Sequence, residues 1–143
     1  MTVLTSSVCT NETVVGYGLR LSKSILIVDD SPVVRKTVRQ TLEWHKGWQV
    51  CDEAADGREG IAKAEELKPD LILLDFSMPV MNGLEAAREL KRLMPSVLLV
   101  MFTNYGTDYL EKESLSAGVN AMVSKSDSKT LVSSIQALLE SPS

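Results

Sequence analysis

Residues 71–79 have the sequence LILLDFSMP, an apolar run that ends at an acid. Four aliphatic residues, Leu71 to Leu74, predict a strand that is buried on both faces, as strands of parallel sheets are. Asp75 follows the strand directly and stands just before Met78 and Pro79. Open α/β sheets place their chemistry at the carboxyl ends of their strands. Asp75 is therefore the first candidate for a functional residue.

Three further predicted strands also end at residues that can carry out chemistry. They are Asp29 and Asp30 after the strand 25–28, Thr103 after the strand 97–102, and Lys125 near the end of the strand 121–123. The carboxyl ends of parallel strands meet at one edge of a sheet. If the strands are parallel, these side chains gather with Asp75 at a single edge.

Strands and helices alternate from Lys23 onward. A capping serine followed by Pro32 opens the first helix, and Pro69 and Pro95 end the second and third helices. The second strand, from about Trp48 to Glu53, is less apolar than the others, which suits an edge of the sheet. Five strand–helix repeats predict an α/β fold with a doubly wound, five-stranded parallel sheet covered by five helices.

The composition limits the classes of partner. The chain has 143 residues, 44% of them hydrophobic and 24% charged, which is enough for one domain with a buried core. Its net charge of −4 gives no general attraction to nucleic acid or to an acidic membrane surface. No apolar stretch approaches the roughly 20 residues that span a bilayer. We therefore expect a cytoplasmic protein with no direct nucleic-acid or membrane partner.

The chain divides into an extension and a domain. Residues 1–22 show no clear periodicity and no signal-peptide pattern, so we predict a flexible N-terminal extension before a domain spanning 23–143. A short element docked on the domain is the alternative. The two cysteines, Cys9 and Cys51, make no disulfide framework. We expect Cys51 to be a small buried residue of the second strand that is not bonded to Cys9.

Three acids at one edge of a sheet require a compensating cation, because like charges a few ångströms apart raise one another's pKa. Carboxylate oxygens in an open, hydrated site favour Mg²⁺. Asp75 can then act as a nucleophile that forms an acyl phosphate. Lys125 can neutralise one phosphoryl oxygen and Thr103 can donate a hydrogen bond to another. The chemistry is that of phosphoryl transfer.

Five sequence blocks follow one another with a characteristic spacing. They are VDDS at 28–31, DFSMP at 75–79, MNG at 81–83, Thr103, and VSK at 123–125. In this order the chain resembles the response-regulator receiver domain of two-component signalling, the CheY-like fold. The resemblance covers about residues 23–140 and implies a flavodoxin-like strand order of 2-1-3-4-5.

The resemblance implies a role for each matching residue. Asp75 would accept a phosphoryl group from a phosphohistidine on a sensor histidine kinase or a phosphotransfer protein. The implied Mg²⁺ ligands are Asp29, Asp30, Asp75 and the backbone carbonyl of Ser77. Lys125 and Thr103 would contact the phosphate and switch a surface of the fourth helix, fifth strand and fifth helix. That surface would bind a downstream protein, which the sequence does not name, and a homodimer through the same helices stays open.

The chain departs from the family pattern at three positions. Met122 stands where an aromatic switch residue is common, so we expect a switch pocket filled by a flexible side chain. Asn104 follows the threonine in place of a small residue and can crowd the site. Ser126 follows the lysine in place of proline, so a trans peptide is expected there. Tyr105 and Tyr109 are the nearby aromatic residues.

Three functions remain after these departures. The first is a single-domain receiver that acts through protein–protein contact and is not an enzyme beyond Mg²⁺-dependent self-phosphorylation and slow autodephosphorylation. The second is a pseudo-receiver that binds partners without phosphorylation. The third is a Mg²⁺-dependent phosphohydrolase. Such enzymes usually carry a second acid two residues after the nucleophile, and Ser77 stands there, which argues against turnover.

Overall fold

A parallel sheet with helices on both faces forms the body of the protein. The structure is a computed structural model that describes residues 14–15, 19–20, 22–104 and 106–140. Within the described domain the strands are β1 (Lys23–Val28), β2 (Trp48–Ala54), β3 (Leu71–Leu74), β4 (Leu98–Thr103) and β5 (Ala121–Ser124). The helices are α1 (Pro32–Glu43), α2 (Gly57–Leu67), α3 (Gly83–Leu93), α4 (Asp108–Ser116) and α5 (Ser128–Leu139).

The order of the strands across the sheet is β2-β1-β3-β4-β5, and each neighbouring pair is parallel. This confirms the predicted fold class and the strand order 2-1-3-4-5. The fourth strand is displaced by one residue from its predicted bounds, and Thr103 is its last residue. Because every strand runs the same way, the polar residues that follow the strands lie at one edge.

Alternate strand residues form two separate cores, because successive side chains of a strand point to opposite faces. Ile25, Ile27 and Leu71 pack on the side that also holds residues of α1 and α5. Leu26 and Ile72 pack on the opposite side with residues of α2 and α3. β1, β3 and β4 lie inside the sheet between these two layers, which explains their uninterrupted apolar sequences.

A polar side chain caps the start of each described domain helix. The caps, which accept a hydrogen bond from a backbone N–H of the first turn, are Ser31, Asp56, Asn82, Thr107 and Asp127. A cap of this kind contributes about 1 kcal/mol. Each cap stands in the loop that follows a strand, so the turns that start the helices also shape the edge where the polar residues gather.

The structure bears on the expectation for Cys51, whereas the flexible N-terminal extension stays a prediction. Within the predicted extension 1–22, Val14–Val15 and Leu19–Arg20 form a short antiparallel ribbon, and most of the extension lies outside the described residues. Cys51 is disulfide-bonded, so the expectation of an unbonded cysteine is wrong. It lies on β2 at the edge of the sheet, where another segment can approach its sulfur. Cys9 lies outside the described residues.

Among the described residues, no helix is both long enough and apolar enough to cross a membrane.

Candidate functional site

Asp29 and Asp75 lie side by side because their strands are neighbours in register. Val28 pairs with Leu74 at the ends of the two strands, and each acid is the residue that follows. The Asp75 N–H donates to the carbonyl of Val28 at 2.9 Å, which continues the β1–β3 ladder by one step. Both side chains are buried, with only 2% of Asp29 and 4% of Asp75 exposed. Two buried carboxylates thus lie next to each other at the carboxyl edge of the sheet.

The loop between β1 and α1 holds the third acid. The Ser31 N–H donates to Oδ1 of Asp29 at 2.9 Å, and the Ser31 hydroxyl accepts from the N–H of Val34 at 3.2 Å. This turn leaves Asp30 exposed above its two buried neighbours. One carboxylate oxygen from each of the three acids lies within 4.8 Å of the others. The sequence prediction that these acids converge is therefore met by the geometry.

Lys125 reaches the acids from β5. Its backbone N–H donates to the carbonyl of Thr103 at 3.1 Å, which extends the β4–β5 pairing past the end of the strand. Its Nζ atom lies 2.8 Å from Oδ2 of Asp29 and 3.2 Å from Oδ1 of Asp75. One amine therefore contacts both buried carboxylates.

The electrostatics of the site follow from this crowding. Burial raises the pKa of Asp75, the charge of Asp29 raises it further, and the contact with Lys125 offsets these effects only in part. Burial lowers the pKa of Lys125, but its hydrogen bonds and charge interactions with Asp29 and Asp75 outweigh burial, so that pKa is raised. The amine is thus held in its charged form, and a single positive charge does not compensate the acids fully.

Backbone packing fixes the loop that follows Asp75. At Gly83 a Cβ atom would clash with the carbonyl oxygen of Asp75 and lie 2.9 Å from the Cα of Phe76, so only glycine fits. Val80 adopts a φ of 70°, a left-handed conformation that costs a β-branched residue about 1–2 kcal/mol. The Ser77 N–H lies 3.4 Å from Oδ1 of Asp75. That the backbone carbonyl of Ser77 is a metal ligand stays a prediction.

The donor set suits Mg²⁺. Three carboxylates from two loops converge, two of them buried and one open to water. Mg²⁺ prefers oxygen ligands and usually keeps several waters, so a site closed on one side and hydrated on the other fits it. Burial and the charge of Asp29 raise the pKa of Asp75, so a divalent ion among the three acids would stabilise the charged carboxylates.

The remaining predicted site residues lie around this cluster. Thr103 is 1% exposed at the end of β4, and Asn104 after it is exposed. Met122 is partly buried on β5 and lines a pocket with Gly106, Thr107 and Glu111. No cis peptide occurs among the described residues, as expected for Ser126. Tyr109 is 73% exposed and thus fills no pocket, whereas Tyr105 lies outside the described residues.

Two arginines of α1 make contacts that no sequence motif indicates. The side chains of Arg35 and Arg39 are 18% and 34% exposed. Both pair with Glu53 of β2, at 3.0 Å from Arg35 Nε and 2.6 Å from Arg39 Nε. The helical spacing of the arginines is visible in the sequence, but the position of Glu53 opposite them requires the packing of α1 on β2.

The family comparison agrees with this geometry. A family model described as the response regulator receiver domain matches residues 25–136. The chain is 39% identical over 104 residues to the response regulator protein VraR of Staphylococcus aureus. That match covers 73% of this chain and 50% of VraR. The chain thus spans about half the length of the curated relatives it matches.

Solved structures show the same architecture. A two-component response regulator of the LuxR family from Aurantimonas sp. SI85-9A1 superposes with a TM-score of 0.80 at 32% identity, covering 83% of this chain and 86% of that one. A CheY-like receiver domain protein from Methanospirillum hungatei JF-1 superposes with a TM-score of 0.77 at 33% identity, covering 83% and 94%. Both structures share the fold of this chain, and both are response regulators.

Proposed function

This chain belongs to the family of response regulator receiver domains, and from that membership we propose that Asp75 accepts a phosphoryl group in two-component signalling. The observation that carries the proposal is the convergence of three carboxylates and the Lys125 amine at the carboxyl edge of the sheet. Such a cluster is suited to positioning and neutralising a phosphoryl group, which is most of what phosphoryl transfer requires. The donor would be a phosphohistidine of a sensor histidine kinase or phosphotransfer protein.

The proposed transfer forms one bond and breaks one. A carboxylate oxygen of Asp75 attacks phosphorus, the bond from phosphorus to the histidine nitrogen breaks, and the imidazole takes up a proton from solvent. Both polar contacts that the described residues make to this carboxylate fall on Oδ1, so Oδ2 is the candidate nucleophile. The product is an acyl phosphate on Asp75.

The neighbouring residues position the charges. Asp29, Asp30, Asp75 and the Ser77 carbonyl would hold Mg²⁺, which when bound would neutralise the acids and the incoming phosphoryl oxygens. Lys125, already charged and close to both buried acids, would pair with a phosphoryl oxygen. The Thr103 hydroxyl would donate to another. Each of these residues ends a strand or lies within three residues after one, at this edge of the sheet.

Phosphorylation would act by changing a surface of the protein. A phosphoryl group adds nearly two negative charges, which is enough to bias a loop with two arrangements. Thr103 and Lys125 end the strands next to α4 and α5, so we propose that this face binds a downstream protein or a second copy of the chain. Met122, in place of an aromatic residue, would fill the switch pocket. We assign no direct nucleic-acid contact.

The proposal is tested by labelling with a small acyl phosphate in the presence of Mg²⁺. Intact-mass analysis should show one added phosphoryl group on the wild type and none on Asp75→Asn. Asp56→Asn is the matched control, because asparagine also caps a helix and Asp56 lies outside the acid cluster. Equal labelling of wild type and Asp75→Asn would contradict the assignment. A fully unlabelled wild type would favour the phosphorylation-independent pseudo-receiver.

The same preparation separates a receiver from a phosphohydrolase. A phosphohydrolase releases phosphate steadily from a small phosphomonoester, whereas the proposed phosphoacceptor turns over only its own acyl phosphate. Ser77, in the position of the usual second acid, provides no carboxylate for general acid or base catalysis. Steady, Asp75-dependent phosphate release would replace the proposal with hydrolysis.

A further inference from the structure

Arg35 connects the acid cluster to the edge strand β2. Its Nη1 atom donates to the backbone carbonyl of Asp29 at 2.7 Å, while its Nε donates to Oε1 of Glu53 at 3.0 Å. The side chain is 18% exposed, so these bonds form in a mostly dry environment. A hydrogen bond from a charged donor in such a place is stronger than an exposed one. One guanidinium thus links α1, the β1–α1 loop and β2.

The carbonyl that accepts this hydrogen bond from Arg35 lies between two of the proposed metal ligands. The Asp29 carbonyl belongs to the peptide that joins Asp29 to Asp30, so its direction sets where the Asp30 side chain starts. The backbone N–H of Asp29 is fixed separately, by the carbonyl of Ala54 at 3.0 Å. The Asp29 carboxylate is fixed by Ser31 and Lys125. Arg35 supplies the contact that restrains the exposed acid.

Glu53 keeps Arg35 in place. Its carboxylate accepts from Arg35 on one oxygen and from Arg39 on the other, at 2.6 Å from Arg39 Nε. Burial raises the pKa of Glu53, but its hydrogen bonds to Arg39 and Arg35 outweigh burial and lower that pKa. The Lys63 amine also donates to the Glu53 carbonyl at 2.5 Å. The Glu53 side chain is therefore charged, and Glu53 is held in place by three basic residues.

We propose that Arg35 is a positioning residue, which fixes the Asp29–Asp30 peptide so that Asp30 is oriented toward the cation site before the cation arrives. This rests on the proposed function, since it assigns a residue to the same site. Groups that orient metal ligands typically change metal affinity by 10–100-fold when they are removed. Because Arg35 acts through backbone, we expect the lower end, about tenfold.

The test measures Mg²⁺ binding by calorimetry with MgCl₂ alone on the full chain. Arg35→Met keeps the apolar stem and removes the donors, and should bind Mg²⁺ about tenfold more weakly than wild type. Arg39→Met is the matched control: Arg39 also pairs with Glu53, but its other contacts are Glu43 and the carbonyl of Val50. It should bind within about twofold of wild type, since it leaves the Asp29 contact intact.

A kinetic readout separates positioning from general damage. In acyl phosphate labelling, the Mg²⁺ concentration for half-maximal rate should rise about tenfold in Arg35→Met, while the rate at saturating Mg²⁺ stays close to wild type. Arg35→Gln is polar but too short to make both contacts, and should repeat the loss. Arg35→Gln is the variant to measure if Arg35→Met does not fold.

The outcomes distinguish the two proposals. Wild-type affinity in both Arg35 variants would overturn the role of Arg35 and leave the proposed function standing. Equal weakening in Arg39→Met would also overturn it, because the effect would then come from packing of α1 on β2. A wild type with no saturable Mg²⁺ binding would instead overturn the proposed function, and the inference with it.

Discussion

The Nζ atom of Lys125 lies 2.8 Å from Oδ2 of Asp29, and this is its shorter ion pair. The distance from the same atom to Oδ1 of Asp75, the proposed phosphoacceptor, is 3.2 Å. The amine is thus anchored by an acid that stays unmodified. It can turn toward a phosphoryl group on the neighbouring acid without a large change in its own position.

Lys125→Ala should keep Mg²⁺ binding and lose the response to phosphorylation. Removing the amine leaves the acids less compensated, so Mg²⁺ affinity should stay within about threefold of wild type or become tighter. Calorimetry with MgCl₂ checks this. NMR spectra with and without a beryllium fluoride phosphate mimic should show shifts along α4 and β5 only in wild type.

Lys46→Ala is the control for Lys125→Ala. Lys46 is exposed and lies just after the end of α1, away from the acid cluster. It should leave both measurements unchanged. A Lys125→Ala protein with the full spectral response would contradict the role given to the amine.

Metal-free Asp75→Asn should be more stable than wild type at neutral pH. The pKa of Asp75 is raised in the folded protein by burial and by Asp29. Its favourable contribution is therefore complete below the unfolded pKa of about 3.9 and is lost as the pH rises through the folded pKa. The stability gap between the variant and wild type should shrink as the pH falls toward that value. Urea unfolding across the acid range checks it.

Asp127→Asn provides a control of opposite sign. Hydrogen bonds from Thr130 lower the pKa of Asp127, which caps α5. The contribution of this acid is present above its unfolded pKa and is lost as the pH falls through the lower folded pKa. Wild type should therefore be more stable than Asp127→Asn at neutral pH, and the difference in their free energies of unfolding should close in acid. A pH-independent gap for Asp75→Asn would refute the account of its charge.

Mg²⁺ should raise the stability of the folded protein through the three acids. A ligand at a hundred times its Kd adds about 2.7 kcal/mol to the free energy of unfolding. Thermal unfolding in saturating MgCl₂ should show this gain in wild type and lose most of it in Asp30→Asn. Asp30 is exposed, so its replacement should not disturb the fold itself. Equal Mg²⁺ stabilisation of both proteins would remove Asp30 from the ligand set.

Gly83→Ala should destabilise the protein and displace Asp75. The new Cβ would meet the Asp75 carbonyl and the Phe76 Cα, which are backbone atoms that cannot turn aside. Overpacking of this kind costs about 1–3 kcal/mol. Denaturant unfolding measures the loss, and acyl phosphate labelling should slow with it.

Gly106→Ala is the matched control for Gly83→Ala. Its nearest neighbour would be the Cε of Met122 at 3.7 Å, an ordinary contact with a flexible side chain. Stability should be unchanged or slightly higher, because alanine restricts the unfolded chain. Similar losses in both variants would show that the close approach at Gly83 is not the cause.

Local sequence patterns predicted most of the fold and the main site residues. The run from Leu71 to Leu74 and the aspartate after it are adjacent in the chain, so a buried strand with an acid at its end is visible without any structure. The same holds for β1 and its pair of acids. Helix starts were equally local, since Ser31 and Pro32 mark the start of α1.

Contacts between distant segments could not be predicted in this way. Glu53 lies 18 residues from Arg35, and only the packing of α1 on β2 brings them to 3.0 Å. The disulfide of Cys51 was missed for a similar reason, because the sequence does not show which segment approaches the edge strand. Gly83 could be placed at a helix start, but not against the carbonyl of Asp75.

Local sequence is enough to identify which residues end each strand and therefore which chemistry the edge of the sheet can offer. This is so because strand burial and helix capping depend on neighbours in the chain. The contacts of Lys125 with Asp29 and Asp75, and of Arg35 with the Asp29 carbonyl, arise only in the folded chain. Those relationships depend on strand order, register and helix packing, which bring together side chains that the sequence keeps far apart.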